Sequence, residues 1–143
     1  MNLTITNDDK LSGKITYFPN EFSFQTEPRP SFWTSVLVDS LEIMLDSDGR
    51  ITGVWGFCPH TCWKSSNLVL PESRYGGVMC EKFPTFDSRI PVCIANNWEI
   101  YCDSFQGWIR IGNAYERCQH IEVVSGLVLA IDCCVLRNVW IKF

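Results

Sequence analysis

The chain has two histidines and eight cysteines, and each histidine lies two residues after a cysteine: Cys58-Pro59-His60 and Cys118-Gln119-His120. Cys62 adds a third sulfur beside the first pair. Thiolate sulfur and imidazole nitrogen are the ligands that zinc prefers, four of them in a tetrahedron. Cys58, His60 and Cys62 could therefore open a zinc site that Cys80, or Cys118 with His120, would complete. The spacing argues otherwise, because a zinc knuckle sets two residues between its cysteines so that the backbone turns back. Cys-x-His-x-Cys lacks that turn, so loop and core residues are the expected reading, with no metal and no cofactor.

The same residue types could supply a nucleophile and its base. A reactive thiolate needs a base in hydrogen-bond reach and a third group to orient it. Side chains two apart on a strand share a face but stand too far apart for one tight bond, so a partner from elsewhere would be required. The acids are scattered, whereas glycoside hydrolysis needs two carboxyl groups facing one cleft. Asp46-Ser47-Asp48-Gly49 has the flavour of a calcium loop without its remaining ligands or the later bidentate Glu, and turn chemistry explains it better. There is no Gly-x-Ser-x-Gly elbow, phosphate loop or dinucleotide fingerprint. The expectation is a protein that is not an enzyme. A small enzyme using Cys and His is the first alternative. Trp55, Trp98, Trp108 and Trp140 are expected to pack in the core or across strands; a stacking platform in a carbohydrate-binding β module is the second alternative.

These residues are carried by alternating patterns that read as strands. Leu41-Glu42-Ile43-Met44-Leu45, a turn opened by Asp46, and a return ending in Val54-Trp55 are echoed by Leu127 to Asp132 and a return ending in Val139-Trp140. One strand is predicted from about Val36 to Leu45, with Leu41, Ile43 and Leu45 on one face. Hairpins are predicted around 46–49, 103–106 and 132–137. Further strands are predicted at 3–6, 14–18, 21–25, 67–70, 77–80 and 120–124. Residues 58–91 are punctuated by Pro59, Pro71 and Pro84, and no long helix is expected. The fold class is therefore mainly β: a single antiparallel domain over 1–143, a sandwich or half-barrel of at least three hairpins with little helix.

Bulk properties narrow the partners. The 143 residues are 46% hydrophobic and 13% aromatic, enough for a true core, and the formal net charge is −4. Nucleic-acid binders are usually basic, so that class is disfavoured, and a basic protein partner is mildly favoured by steering. No apolar run is long enough to span a bilayer, and the polar start of the chain has no signal-peptide pattern. A cytoplasmic protein with reduced thiols is the expectation. Adjacent Cys133 and Cys134, if on a strand, would point to opposite faces.

Through Val54-Trp55-Gly56-Phe57-Cys58-Pro59 to Trp63, then Trp98…Gly107-Trp108-Ile109 and Leu136…Val139-Trp140, the chain resembles small bacterial immunity proteins of polymorphic toxin systems, including contact-dependent growth inhibition. The resemblance spans roughly residues 36–143 and departs at Cys133-Cys134-Val135, where a glycine turn is expected. It implies a cytoplasmic protein that binds and blocks a toxin domain, possibly a nuclease. The residues themselves suggest where a partner could dock: Glu72, Tyr75, Glu81, Phe83, Phe86 and Asp87, with turn acids Asp46 and Asp48, because aromatic anchors within a charged rim suit interfaces. Phe83 and Phe86 could instead cap one end of the core.

Overall fold

A computed structural model of the chain describes Met1–Phe143, and its regular structure is almost wholly strand. In chain order they are β1 (Leu3–Thr6), β2 (Leu11–Phe18), β3 (Ser23–Glu27), β4 (Thr34–Val38), β5 (Leu41–Leu45), β6 (Ile51–Phe57) and β7 (Lys64–Ser65). Then come β8 (Arg74–Tyr75), β9 (Gly77–Cys80), β10 (Val92–Ala95), β11 (Ile100–Asp103), β12 (Trp108–Ile111), β13 (Gln119–Ser125), β14 (Leu127–Asp132) and β15 (Val135–Lys142). The one helical piece is a 3-10 turn at His60–Cys62. No helix is long and apolar enough to cross a membrane.

The main sheet is two antiparallel meanders joined at a seam. One runs β2-β3-β6-β5-β4 and the other β13-β14-β15-β12-β11. They meet where β2 lies parallel to β13. Each meander is finished by a parallel edge strand, β10 on β4 and β7 on β11. β8 adds a further parallel pairing to β13, and β1 with β9 forms a separate antiparallel pair. The sheet is thus mixed and curls into a half-barrel, which corrects the purely antiparallel expectation. The hairpins at 46–49, 103–106 and 132–137 are present. The curl brings both meanders onto one core of 27 buried residues, including Ile43, Leu45 and Val54 from one side and Ile121, Leu129 and Val139 from the other.

The stretch from Val36 to Leu45 is two strands, not one. The chain reverses at Asp39-Ser40, with Asp39 in the left-handed region (φ 53°) that Asp tolerates. The Asp39 carboxylate accepts from the backbone N–H of Asn97 (2.6 Å) and Trp98 (3.1 Å), so it also ties this turn to the approach to β11.

The written repeat is a structural one. In the first copy Ile43 pairs with Val54 and Met44 with Gly53, but Leu45 pairs with Ile51, leaving Thr52 as an extra residue. In the second copy Leu129 pairs with Val139 and Ala130 with Asn138, but Ile131 pairs with Leu136, leaving Arg137 as the extra one. Each hairpin carries a bulge at the same place, and a bulge changes which face the following residues take. Trp55 and Trp140 therefore occupy equivalent places, opposite Glu42 and Val128.

Residues 67–70, expected as a strand, belong to none; Leu68 (5% exposed) instead packs onto Trp140 and Val128. Asp103 holds it there. Its carboxylate accepts from the Leu68 N–H (3.0 Å) and from the Gln106 backbone (3.1 Å) and side chain (2.7 Å). The Gln106 amide also donates to the Leu68 carbonyl (2.6 Å). These donors, led by the Leu68 N–H, hold the Asp103 carboxyl below the usual carboxylate range. A group depressed in the fold contributes stability above its unfolded pKa and loses it as pH falls through the folded value. Denaturant titrations of wild type and Asp103→Asn should therefore show a stability gap at neutral pH that narrows below about pH 4, the ordinary Asp range. A gap constant with pH would contradict this role.

Candidate binding surface

The Cys/His residues do not converge. Cys58 points into the core (3% exposed), and burial pushes its thiol up to about 11. His60 lies outside, its ring stacked on Phe22 at 5.4 Å. Tyr17 bridges the backbone there: its hydroxyl donates to the Cys58 carbonyl (2.8 Å) and accepts from the His60 N–H (2.9 Å). His120 sits on β13 opposite Ala130, where burial pushes its pKa down. No group of three His, Cys, Asp or Glu side chains is placed to hold a metal ion.

All eight thiols stand free, and their exposure sorts them. Cys62, Cys93, Cys133 and Cys134 are exposed, while Cys58 and Cys80 are buried with thiols raised to about 11. Thiolate is the reacting form. Native alkylation at mildly alkaline pH should label the exposed four first and leave Cys58 and Cys80 for the denatured chain. Early labelling of Cys58, read by peptide mass, would contradict this packing.

The sequence-derived docking residues divide. Phe83 (8% exposed) and Phe86 (2%) turn inward, edge to face at 5.5 Å, and join the core. They are plugs and not surface anchors. Proline-broken chain favoured this outcome, since a segment outside the ladder needs apolar side chains to pin it. Asp87, Glu81 and Glu72 are exposed. Glu81 accepts from the Asn2 N–H (2.9 Å), and the Cys80 N–H donates to the Gly49 carbonyl (2.7 Å), so Glu81 lies beside the 46–49 turn. Within that turn, Asp46 accepts from the Asp48 and Arg50 N–H groups (both 2.9 Å), while Asp48 is exposed. Tyr75 (59% exposed) projects from β8 and carries the Lys10 ammonium over its ring at 4.3 Å.

The more distinctive surface is the outer face of β3, β5 and β6. Trp55 is 51% exposed and Phe57 is 52% exposed, two residues apart on one strand. Phe32 (37%) stands at one end of the row, and Phe22, edge to face with Phe57 at 6.2 Å, extends the other. The backbone beneath is fixed. The Thr26 hydroxyl accepts from the Val54 N–H and donates to the Val54 carbonyl, both at 2.9 Å. Gly53 leaves the room for it, since a Cβ there would stand 2.4 Å from that oxygen.

Between Trp55 and Phe32 lies a pocket of about 280 Å³, floored by Met44 and edged by Gln25, Glu42, Arg29 and Pro30. The Glu42 carboxylate accepts from the Ser35 hydroxyl (2.7 Å), which fixes its direction. Asp46, with Arg50, lines a second recess on the far side of Arg29 and Pro30. The volume of the Trp55 slot is close to the lower end of the about 300–1,000 Å³ usual for small-molecule sites, room for one inserted side chain or one sugar ring.

The repeat shows what such a tryptophan ordinarily meets. Trp140, the counterpart of Trp55, is 4% exposed because Leu68 covers it, with Tyr101 and Trp108 packed alongside. Trp55 has no such cover from its own chain. No family model matches the sequence, and no curated protein matches it. Packing is the leading expectation for the four tryptophans; Trp140 meets it, whereas Trp55 stands exposed, as the stacking-platform alternative would need. The available signal was the partner residue: Glu42 faces Trp55 where Val128 faces Trp140.

Proposed function

We propose that this protein is a non-enzymatic immunity protein, which binds and neutralises a cognate toxin domain through the outer face of β3, β5 and β6. The observation that carries the reading is the uncovered Trp55 beside its covered counterpart Trp140. Exposed aromatic rows of this kind mark sites of interaction, and tryptophan is the residue most enriched among energetic hot spots. Trp55, Phe57 and Phe32 are the anchors. Glu42 offers a carboxylate to a basic side chain entering the slot, where a cation would also meet the Trp55 ring. The net charge of −4 and the exposed acids Asp48, Glu81 and Asp87 favour fast association with a basic partner.

The polar edge of the slot also suits a sugar ring stacked on Trp55, which is the second reading. An immunity gene should lie just downstream of its toxin gene, and the experiment is co-expression with the toxin domain found there. Wild type should rescue growth, and His60→Ala with His120→Ala should rescue equally. Loss of rescue by the folded double variant would favour histidine chemistry. Failure of wild type to rescue, together with saturable quenching of Trp55 by oligosaccharides, would favour the sugar reading.

A further inference from the structure

The turn between β14 and β15 is the least expected piece of backbone in the molecule. Its two central residues, Cys133 (φ 48°) and Cys134 (φ 67°), both lie in the left-handed region. A two-residue hairpin turn with both φ values positive is normally built from Asn-Gly or Gly-Gly. The equivalent turn of the first copy places Gly49 (φ 91°) at its positive position. Left-handed conformations cost side-chain-bearing residues free energy, and such outliers persist where a site requires them. Here the two strained residues are adjacent, both exposed, and both thiols.

A hydrogen bond adds a consequence. The Leu3 N–H donates to the Cys134 carbonyl at 2.8 Å, so this turn holds the start of β1, whose Leu3 side chain is 2% exposed. Apart from this bond β1 pairs only with β9. Rearranging the turn would loosen the first strand.

We propose that Cys133-Cys134 is a vicinal dithiol modification site that exchanges with a small-molecule disulfide of the glutathione class and closes to an intrachain disulfide. The Cys134 thiolate attacks one sulfur of the small disulfide, forming a mixed disulfide and expelling one small thiolate. The Cys133 thiolate then attacks the Cys134 sulfur and expels the second. Two protein thiols are oxidised, the small disulfide is reduced to two thiols, and the two protons pass to the released thiolates or to solvent. The Asp132 carboxylate beside Cys133 holds that thiol above the ordinary range, which disfavours Cys133 as the first nucleophile. Adjacent Cα atoms stand about 3.8 Å apart across a trans peptide, less than the roughly 4.4–6.8 Å usual for a disulfide, so closing the ring must reshape the turn that carries the Cys134 carbonyl.

The test uses the full chain and glutathione disulfide under native conditions, followed by alkylation and peptide mapping. The expected product is a peptide in which Cys133 and Cys134 both resist alkylation, carry no glutathione, and are recovered by a reducing agent. Cys133→Ser should stop at a glutathione adduct on Cys134, for want of a resolving thiol. Hydrogen exchange at the Leu3 amide should quicken in the oxidised form. Alkylation of both cysteines in the treated wild type, or a lasting glutathione adduct on it, would overturn the site. A Leu3 amide that exchanges at the same rate in both forms would overturn its link to β1.

Discussion

Trp55→Ala is expected to weaken binding of the proposed toxin partner by about 30-fold or more, the equivalent of about 2 kcal/mol at an interfacial hot spot. The fold should barely register the change. The Trp55 side chain is half exposed, the backbone of the preceding Val54 is held by Thr26, and Trp55 fills no part of the main core. Loss of stability should therefore stay within about 1 kcal/mol, in the range of ordinary surface substitutions. Calorimetric titration gives the affinity and a thermal melt gives the control. The repeat supplies an internal contrast, because Trp140→Ala removes the equivalent residue from beneath Leu68 and should cost about 3–5 kcal/mol of stability as a core deletion. If the two tryptophans instead behave alike, the distinction between an open and a covered copy fails.

The second large effect concerns the shared core. Ile43 and Leu129 are equivalent in the repeat, lie in different meanders, and are both 0% exposed. Truncating either to alanine removes buried methyl groups and leaves a cavity, at a cost of about 2–5 kcal/mol. Against a typical total of about 5–15 kcal/mol, each variant should be visibly closer to unfolding. Because residues of both meanders join one cluster, each substitution should lower a single transition seen alike by near-ultraviolet and far-ultraviolet dichroism. Two separable transitions, with each variant shifting only its own, would mean that the meanders are independent units.

How far the sequence disclosed this arrangement depends on the range of the interaction. Alternation in Leu41-Glu42-Ile43-Met44-Leu45 and the Asp46 to Gly49 turn are local signals, and the hairpin forms there. The parallel pairings of β2 with β13 and β4 with β10 join residues far apart in sequence, and no local pattern encodes them. The reversal at Asp39-Ser40 carries a local signal, two turn-favouring polar residues between apolar runs, which a single strand over 36–45 passes over. The bulges at Thr52 and Arg137 had a further effect. Strict alternation puts Ile51 and Trp55 on one face, but Ile51 is 1% exposed and Trp55 is 51% exposed because the extra residue intervenes. Phe83 and Phe86 illustrate the opposite case, in which apolar side chains in irregular chain were buried by tertiary packing. Composition could not decide between anchor and plug.

The decisive measurement is side-chain oxidation footprinting of the free protein and of its complex with the proposed toxin partner. Hydroxyl radicals modify exposed aromatic rings, and Trp55, Phe57 and Phe105 (98% exposed) give readable signals on different parts of the surface. Strong protection of Trp55 and Phe57 in the complex is expected, with Phe105 as reactive as before. A complex in which Trp55 and Phe57 keep their free-state reactivity while other side chains become protected would contradict it.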